Sequence, residues 1–305
     1  MTNPRKAPGT GRRWVGVVLT AAALAAPVIA FATAADLYYE RTVMAAADAR
    51  CRLFTPEIGS ALAAAQAQAR GAALRSGVDE ASLADTARRA RAKVVQVGCG
   101  SKDIAVAAGR VRTAFEEYAR INRLNYPGDT AAWAADRTPR EYSTWRLAQP
   151  VSFGWDRMVF GLAGRTAPGS LTAVVSFADG ATPYTARLVM RDTTRLNHYF
   201  IDPRRSGAGG RAPLASRLPP RSMSLVFAAL SRTTAPIALL PRQTKAALSF
   251  GFPDSAAQAL AGLDPREAVM VEFVFAGRSG DTVRQAYIEV GDFAAGKAFL
   301  TLAQR

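Results

Sequence analysis

The sequence predicts an α+β protein with an N-terminal signal or anchor segment, an Ala-rich antiparallel helical bundle, an antiparallel β-sandwich-like or barrel-like domain and a C-terminal helix. Three observations predict this order. An uncharged apolar stretch comes first, long segments with apolar residues at helical spacing follow, and short alternating runs separated by Gly, Pro, Asp and Ser fill the rest. The expected boundaries are residues 1–35 for the signal or anchor, 36–125 for the bundle and 126–305 for the β domain.

The N-terminal segment carries the parts of an export signal. Basic residues precede an uncharged apolar stretch at residues 14–35, and Ala30-Phe31-Ala32 offers a small-residue cleavage site. The same stretch is also long enough to cross a hydrocarbon core of about 30 Å as an uncleaved anchor. Both interpretations place the remaining residues in the periplasm of a bacterium, either released or held at the inner membrane.

The composition is strongly basic, with a formal net charge of +15 at pH 7. Such a charge favours anionic surfaces, although an Arg- and Ala-rich chain is also typical of GC-rich codon usage. Nucleic acid is not expected in the periplasm. Because no phosphate-binding glycine loop, EF-hand pattern or zinc-ligand spacing is present, we expect neither a cofactor nor a metal site.

Four helices are predicted in the bundle, and the two cysteines flank the middle pair. Thr55-Pro56 is typical of a helix start, a turn follows near Ser76-Gly77, and the returning helix ends at Gly98. Two helices of similar length joined by a tight turn bring the chain back to its starting point. Cys51 and Cys99 are therefore expected at the base of one hairpin, as a structural disulfide.

The β domain is predicted from short runs with alternating or β-branched residues. A helix near Ser255–Leu263 and a final helix capped by Asp292 accompany these runs. The predicted strands are Ser143–Gln149, Arg157–Ala163, Leu171–Ala178, Tyr184–Arg191, Met223–Ser231, Lys245–Phe252, Ala268–Ala276 and Thr282–Val290.

A basic segment at residues 202–222 is the first candidate binding element. Its Gly and Pro residues predict a mobile loop that contacts an anionic envelope component, such as lipid head groups, polysaccharide or an acidic envelope protein. The alternative is a flexible insertion without a ligand. The arginines concerned are Arg204, Arg205, Arg211, Arg217 and Arg221.

An aromatic group is the second candidate, with Trp133, Trp145 and Trp155 close together in the sequence. Exposed rings at these positions would stack on sugars, whereas buried rings would join the helical part to the sheet. Trp133 lies in a helical-looking segment and Trp145 in an alternating strand, and this favours burial.

No catalytic constellation emerges from the sequence. His198 is the single histidine, and no G-x-S-x-G motif is present. We therefore expect a non-enzymatic interaction or structural module of the cell envelope. The alternative is a cell-wall or polysaccharide hydrolase whose carboxylate pair the sequence does not identify.

Overall fold

The computed structural model describes residues 33–200 and 212–301, and its first part is helical. The signal or anchor predicted at residues 1–35 lies almost wholly outside the described residues. No helix within the described ranges is both long and apolar enough to cross a membrane. The helices of this part are α1 (Ala34–Cys51), α2 (Pro56–Arg75), α3 (Glu80–Val97) and α4 (Lys102–Arg120).

The helix starts follow from capping residues in the sequence. Thr33 and Asp36 form a capping box at α1, and the Thr55 side chain accepts from the backbone of α2, whose first residue is Pro56. The turn after α2 uses Gly77, whose φ of +98° favours glycine. The start and end predicted for this helix are therefore confirmed.

The predicted disulfide is present between Cys51 and Cys99, whose Cα atoms lie 5.6 Å apart. Cys51 ends α1, and Cys99 lies between α3 and α4. Consequently α1 runs towards the disulfide and α4 runs away from it. The bond fixes three helix termini of the helical region at one point.

Two antiparallel sheets form the rest of the fold, which confirms the predicted α+β class. The large sheet has seven strands in the order β1-β2-β3-β4-β5-β9-β8, and the small sheet has four in the order β11-β10-β6-β7. The elements are β1 (Arg123–Tyr126), β2 (Trp133–Asp136), β3 (Thr144–Phe153), β4 (Asp156–Gly164), β5 (Leu171–Ser176), β6 (Thr185–Arg191), β7 (Ser224–Ala228), β8 (Ser231–Thr234), β9 (Leu248–Gly251), α5 (Asp254–Gly262), β10 (Ala268–Phe275), β11 (Thr282–Glu289) and α6 (Phe293–Leu300).

Each predicted strand overlaps an observed one, with two corrections. The run Met223–Ser231 is not one strand: it divides into β7 and the start of β8, which lie in different sheets. The prediction of a helix around Trp133 is wrong, because this segment forms β2, paired with β1 on one side and β3 on the other. Strands of four residues are too short to show alternation clearly, so pairing decides their structure.

The main core lies between the sheets and continues under α6. Phe160 and Phe250 from the large sheet and Phe273 from the small sheet are fully buried in one cluster. Phe293 and Phe299 of α6 belong to the same cluster. The predicted covering role of the C-terminal helix is therefore observed, and the described residues all lie within one compact unit.

Polar contacts join the helical region to the sheets. The Arg75 guanidinium donates to both carboxylate oxygens of Asp292, at 2.8 and 3.2 Å. Asp292 was expected to cap α6, but its side chain makes no capping bond there and instead binds α2 through Arg75. Burial raises the pKa of the Asp292 carboxyl, and the hydrogen bonds from Arg75 oppose that rise.

A second polar contact between the helical region and the sheets is the hydrogen bond of 2.6 Å between the hydroxyls of Tyr118 on α4 and Tyr126 on β1. Burial raises the pKa of both phenols above their ordinary value near 10.

Since the folded pKa of these phenols exceeds the unfolded one, their contribution to stability is complete below pH about 10 and is lost as the pH rises further. We expect the free energy of unfolding to fall above pH about 10. The Tyr118→Phe/Tyr126→Phe variant should show a flatter fall in urea titrations; an equal slope would contradict this assignment.

Candidate partner-binding groove on the small sheet

The outer face of the small sheet is apolar at its centre. Cross-strand partners in an antiparallel sheet point to the same face. Leu188, Val271 and Ala286 are buried in the core between the sheets. The residue next to each of them on its strand therefore points to the outer face. One outward row, read across the four strands from β11 to β7, is Tyr287, Met270, Val189 and Val226.

Residues 212–223 cross this outer face. They form two short 3-10 turns, Leu214–Arg217 and Arg221–Met223, with the prolines Pro219 and Pro220 between them. A groove of about 440 Å³ remains between this roof segment and the sheet. Its lining residues are Val189, Phe200, Ala215, Leu218, Pro219, Pro220, Arg221, Ser224, Met270, Gln285 and Tyr287.

Arg217 anchors the roof segment instead of lying on a mobile loop. Its side chain is only 3% exposed, and one guanidinium nitrogen lies 3.4 Å from both the Glu289 and the Asp129 carboxylates. Its Nε also donates to the Ala212 carbonyl at 2.9 Å. The prediction of Arg217 as a mobile surface residue is therefore wrong. A buried guanidinium needs a carboxylate partner, and this partner lies 72 residues away in the sequence.

Glu289 is held by a ring of donors as well as by Arg217. The backbone N–H groups of Asp129, Thr130 and Ala131 donate to its carboxylate at 2.6 to 2.9 Å, and so does the Thr130 hydroxyl. Consecutive backbone N–H groups of this kind form an anion-binding concavity. Here a side chain of the same chain fills it, so the loop before β2, the end of β11 and the roof segment are fixed together.

Arg221 brings positive charge to the groove. Its side chain is about half exposed and donates to Glu272, which is 3% exposed. The Arg187 guanidinium lies 3.5 Å from the other oxygen of the same carboxylate. Two guanidinium groups therefore share one acid, and this leaves a local excess of positive charge. The described residues that line the groove include no carboxylate.

Three of the predicted arginines, Arg204, Arg205 and Arg211, are not among the described residues. Phe200, close before them in the chain, lines the groove. His198 is exposed beside Asn197. Of the predicted arginines that the structure describes, both Arg217 and Arg221 lie in this region.

The three tryptophans do not share a surface. Trp133 is fully buried and its indole N–H donates to the Val290 carbonyl at 2.8 Å. Trp145 is half-buried and donates to the Leu239 carbonyl at 3.1 Å. Trp155 is 86% exposed at the tip of the β3–β4 hairpin. Burial, the favoured interpretation, applies to Trp133 and largely to Trp145.

The groove residues on the small sheet were not predicted from the sequence, although the composition of β10 indicates that its outer face is covered. All eight residues of β10 are buried, including the outward Met270 and Glu272. An antiparallel strand that is apolar on both faces indicates that something covers the second face. Glu272 in the middle of such a strand indicates a basic partner.

In the described part of the chain, acidic side chains do not cluster with other metal-ligating residues. Groups of three or more His, Cys, Asp and Glu side chains suited to a metal ion do not occur there. The buried acids Glu267, Glu272 and Glu289 each bind an arginine. The hydrolase hypothesis stays a prediction: the Asp129 and Glu289 carboxylates lie near each other, but both pair with Arg217. The chain matches no protein-family model, no curated protein and no solved structure.

Proposed function

We propose that this chain is a non-enzymatic interaction module of the bacterial envelope, periplasmic or anchored in the inner membrane. It holds an acidic, partly apolar segment of an envelope partner protein in the groove over the small sheet. The observation that carries the proposal is the combination of an apolar floor, a guanidinium at the rim and, among the described lining residues, no carboxylate.

The chemistry of the lining favours binding over catalysis. Val189 and Met270 form an apolar floor on which a partner side chain loses water. The Ser224 hydroxyl donates to the Pro220 carbonyl at 3.0 Å, and no histidine lines the groove. A serine whose proton is engaged with a backbone carbonyl lacks the neighbouring base that a nucleophile needs.

The positive charge near the groove is the reason for proposing an acidic partner. Arg221 and Arg187 meet one carboxylate, and the adjoining sequence adds Arg204, Arg205 and Arg211. Complementary charge across an interface raises the association rate and selects among partners. The Cys51–Cys99 disulfide and the export pattern at residues 1–35 support an extracytoplasmic location.

Selection of a random-peptide library on the purified protein tests this proposal. We expect enrichment of peptides that combine Asp or Glu with apolar residues. The Gln285→Trp variant should abolish enrichment. Gln285 is an exposed residue of the groove wall, and the bulkier indole side chain would block the entrance of the groove.

Val283→Trp is the matched control, since Val283 is exposed on the same strand but does not line the groove. This control should select the same peptides as the wild type. Enrichment that survives in Gln285→Trp, or peptides without acidic residues, would count against the groove as the binding site.

A further inference from the structure

The helical region contains a second groove, which the proposed partner site does not use. It has a volume of about 510 Å³ and lies between α1, α2 and α4. This volume falls within the range of about 300–1,000 Å³ that is usual for small-molecule sites. The lining residues are Tyr39, Glu40, Arg41, Val43, Met44, Leu62, Ala107, Arg110, Val111, Ala114 and Phe115.

The groove lies between α1 and α4, both of which pack against α2. Near the disulfide, Ala47 of α1 and Ile104 of α4 share a buried cluster. Further from the disulfide, alanines at 107 and 114 leave space between the two helices, which Leu62 of α2 closes from below. The stretch of α4 that lines the groove, from Ala107 to Phe115, is about 12 Å long at 1.5 Å per residue. The result is an elongated apolar trough.

Arg41 gives this trough a charged feature. Its side chain is half-buried, and its described hydrogen bond is a donation of 2.7 Å to the Ala65 carbonyl of α2. Within the described ranges no carboxylate lies within 4 Å of its guanidinium, in contrast to Arg75 and Arg217. Burial lowers the pKa of the Arg41 guanidinium, and the electrostatic influence of Tyr118 and Glu40 opposes that shift. A half-buried cation without a carboxylate in contact favours an anionic ligand.

A second cation lies at the same groove. Arg110 is exposed on α4, and Glu40 is the acid among the lining residues, so the two guanidiniums outnumber the carboxylates. The opposite arrangement, an acidic rim, would favour a cationic ligand. The charges and the apolar trough together select a ligand with one anionic group and one apolar chain.

We propose that the groove between α1, α2 and α4 binds a single-chain anionic amphiphile of the fatty-acid type. The chain lies along Met44, Leu62 and Phe115, and the carboxylate pairs with Arg41 and Arg110. Burial of each methylene contributes about 0.8 kcal/mol, and the charge-assisted hydrogen bonds orient the head group.

Titration calorimetry with dodecanoate, kept below its micelle concentration, tests the proposal. We expect saturable binding with one site per chain. Dodecyltrimethylammonium, which has the same chain and the opposite charge, should bind at least about tenfold more weakly. Absence of saturable dodecanoate binding, or equal affinity for the two ions, would overturn the proposal.

Three variants separate head-group recognition from general adsorption. Arg41→Gln and Arg110→Gln should each weaken dodecanoate binding about tenfold, and the exposed Arg110 keeps the test valid if Arg41→Gln destabilises the fold. Ala114→Leu should abolish binding, because the larger side chain fills the trough.

The matched control for filling the groove is Ala105→Leu, at an exposed position of α4 away from the groove. We expect this control to bind dodecanoate as the wild type does. Retained affinity in Ala114→Leu, or equal losses in Ala114→Leu and Ala105→Leu, would show that dodecanoate does not occupy the groove.

Discussion

Replacement of Glu289 by alanine is expected to lower the free energy of unfolding by about 3–5 kcal/mol. The change leaves the buried Arg217 with the partly exposed Asp129 in place of two carboxylates, and it leaves the backbone N–H groups of Asp129, Thr130 and Ala131 without their acceptor. An uncompensated buried charge is among the most destabilising defects in a folded protein. Urea denaturation followed by circular dichroism measures the loss.

Glu141→Ala is the matched control for this prediction, because Glu141 is exposed and its removal should cost less than about 0.5 kcal/mol. The Glu289→Ala variant should also lose the groove, since the roof segment is anchored through Arg217. A loss of stability below about 1 kcal/mol would contradict the role assigned to Glu289.

Removal of the disulfide is expected to have a comparable effect. Cys51 and Cys99 are separated by 48 residues, and cross-linking a loop of that length stabilises by about 4 kcal/mol, mainly through the unfolded chain. The Cys51→Ser/Cys99→Ser variant should therefore melt at a lower temperature than the oxidised wild type.

Reduction of the wild type provides an independent check of the same prediction. Dithiothreitol should lower the melting temperature of the wild type to that of the double variant and leave the variant unchanged. A wild type whose melting temperature is insensitive to complete reduction would show that the bond contributes no stability.

Local signals in the sequence were sufficient for most of the fold. The caps at Thr55 and Asp79 and the glycine after α2 mark helix ends, because they act on neighbouring backbone groups. The longer strands contain runs of β-branched and other apolar residues that are visible in the sequence. β1 and β2 each have four residues, so their pairing depends on partners distant in the sequence.

The candidate site was predictable only in part, because burial of a charge depends on long-range partners. Arg217 and Arg221 belong to one basic segment in the sequence, yet Arg217 is buried and Arg221 is half exposed. The difference arises from Glu289 and Glu272, which reach them from two different strands. Composition identified the segment correctly as basic but could not assign these separate roles.

Site-specific photocrosslinking in intact cells determines whether a partner protein occupies the groove over the small sheet. A photoreactive residue placed at Gln285 lies in the wall of the proposed partner groove, whereas one at Thr233 lies exposed on β8, away from it. We expect a discrete crosslinked protein from position 285, absent from position 233 and strongly reduced when Arg221→Glu is added. The absence of any adduct at 285, or the same adducts at both positions, would contradict the groove as the site that holds a partner.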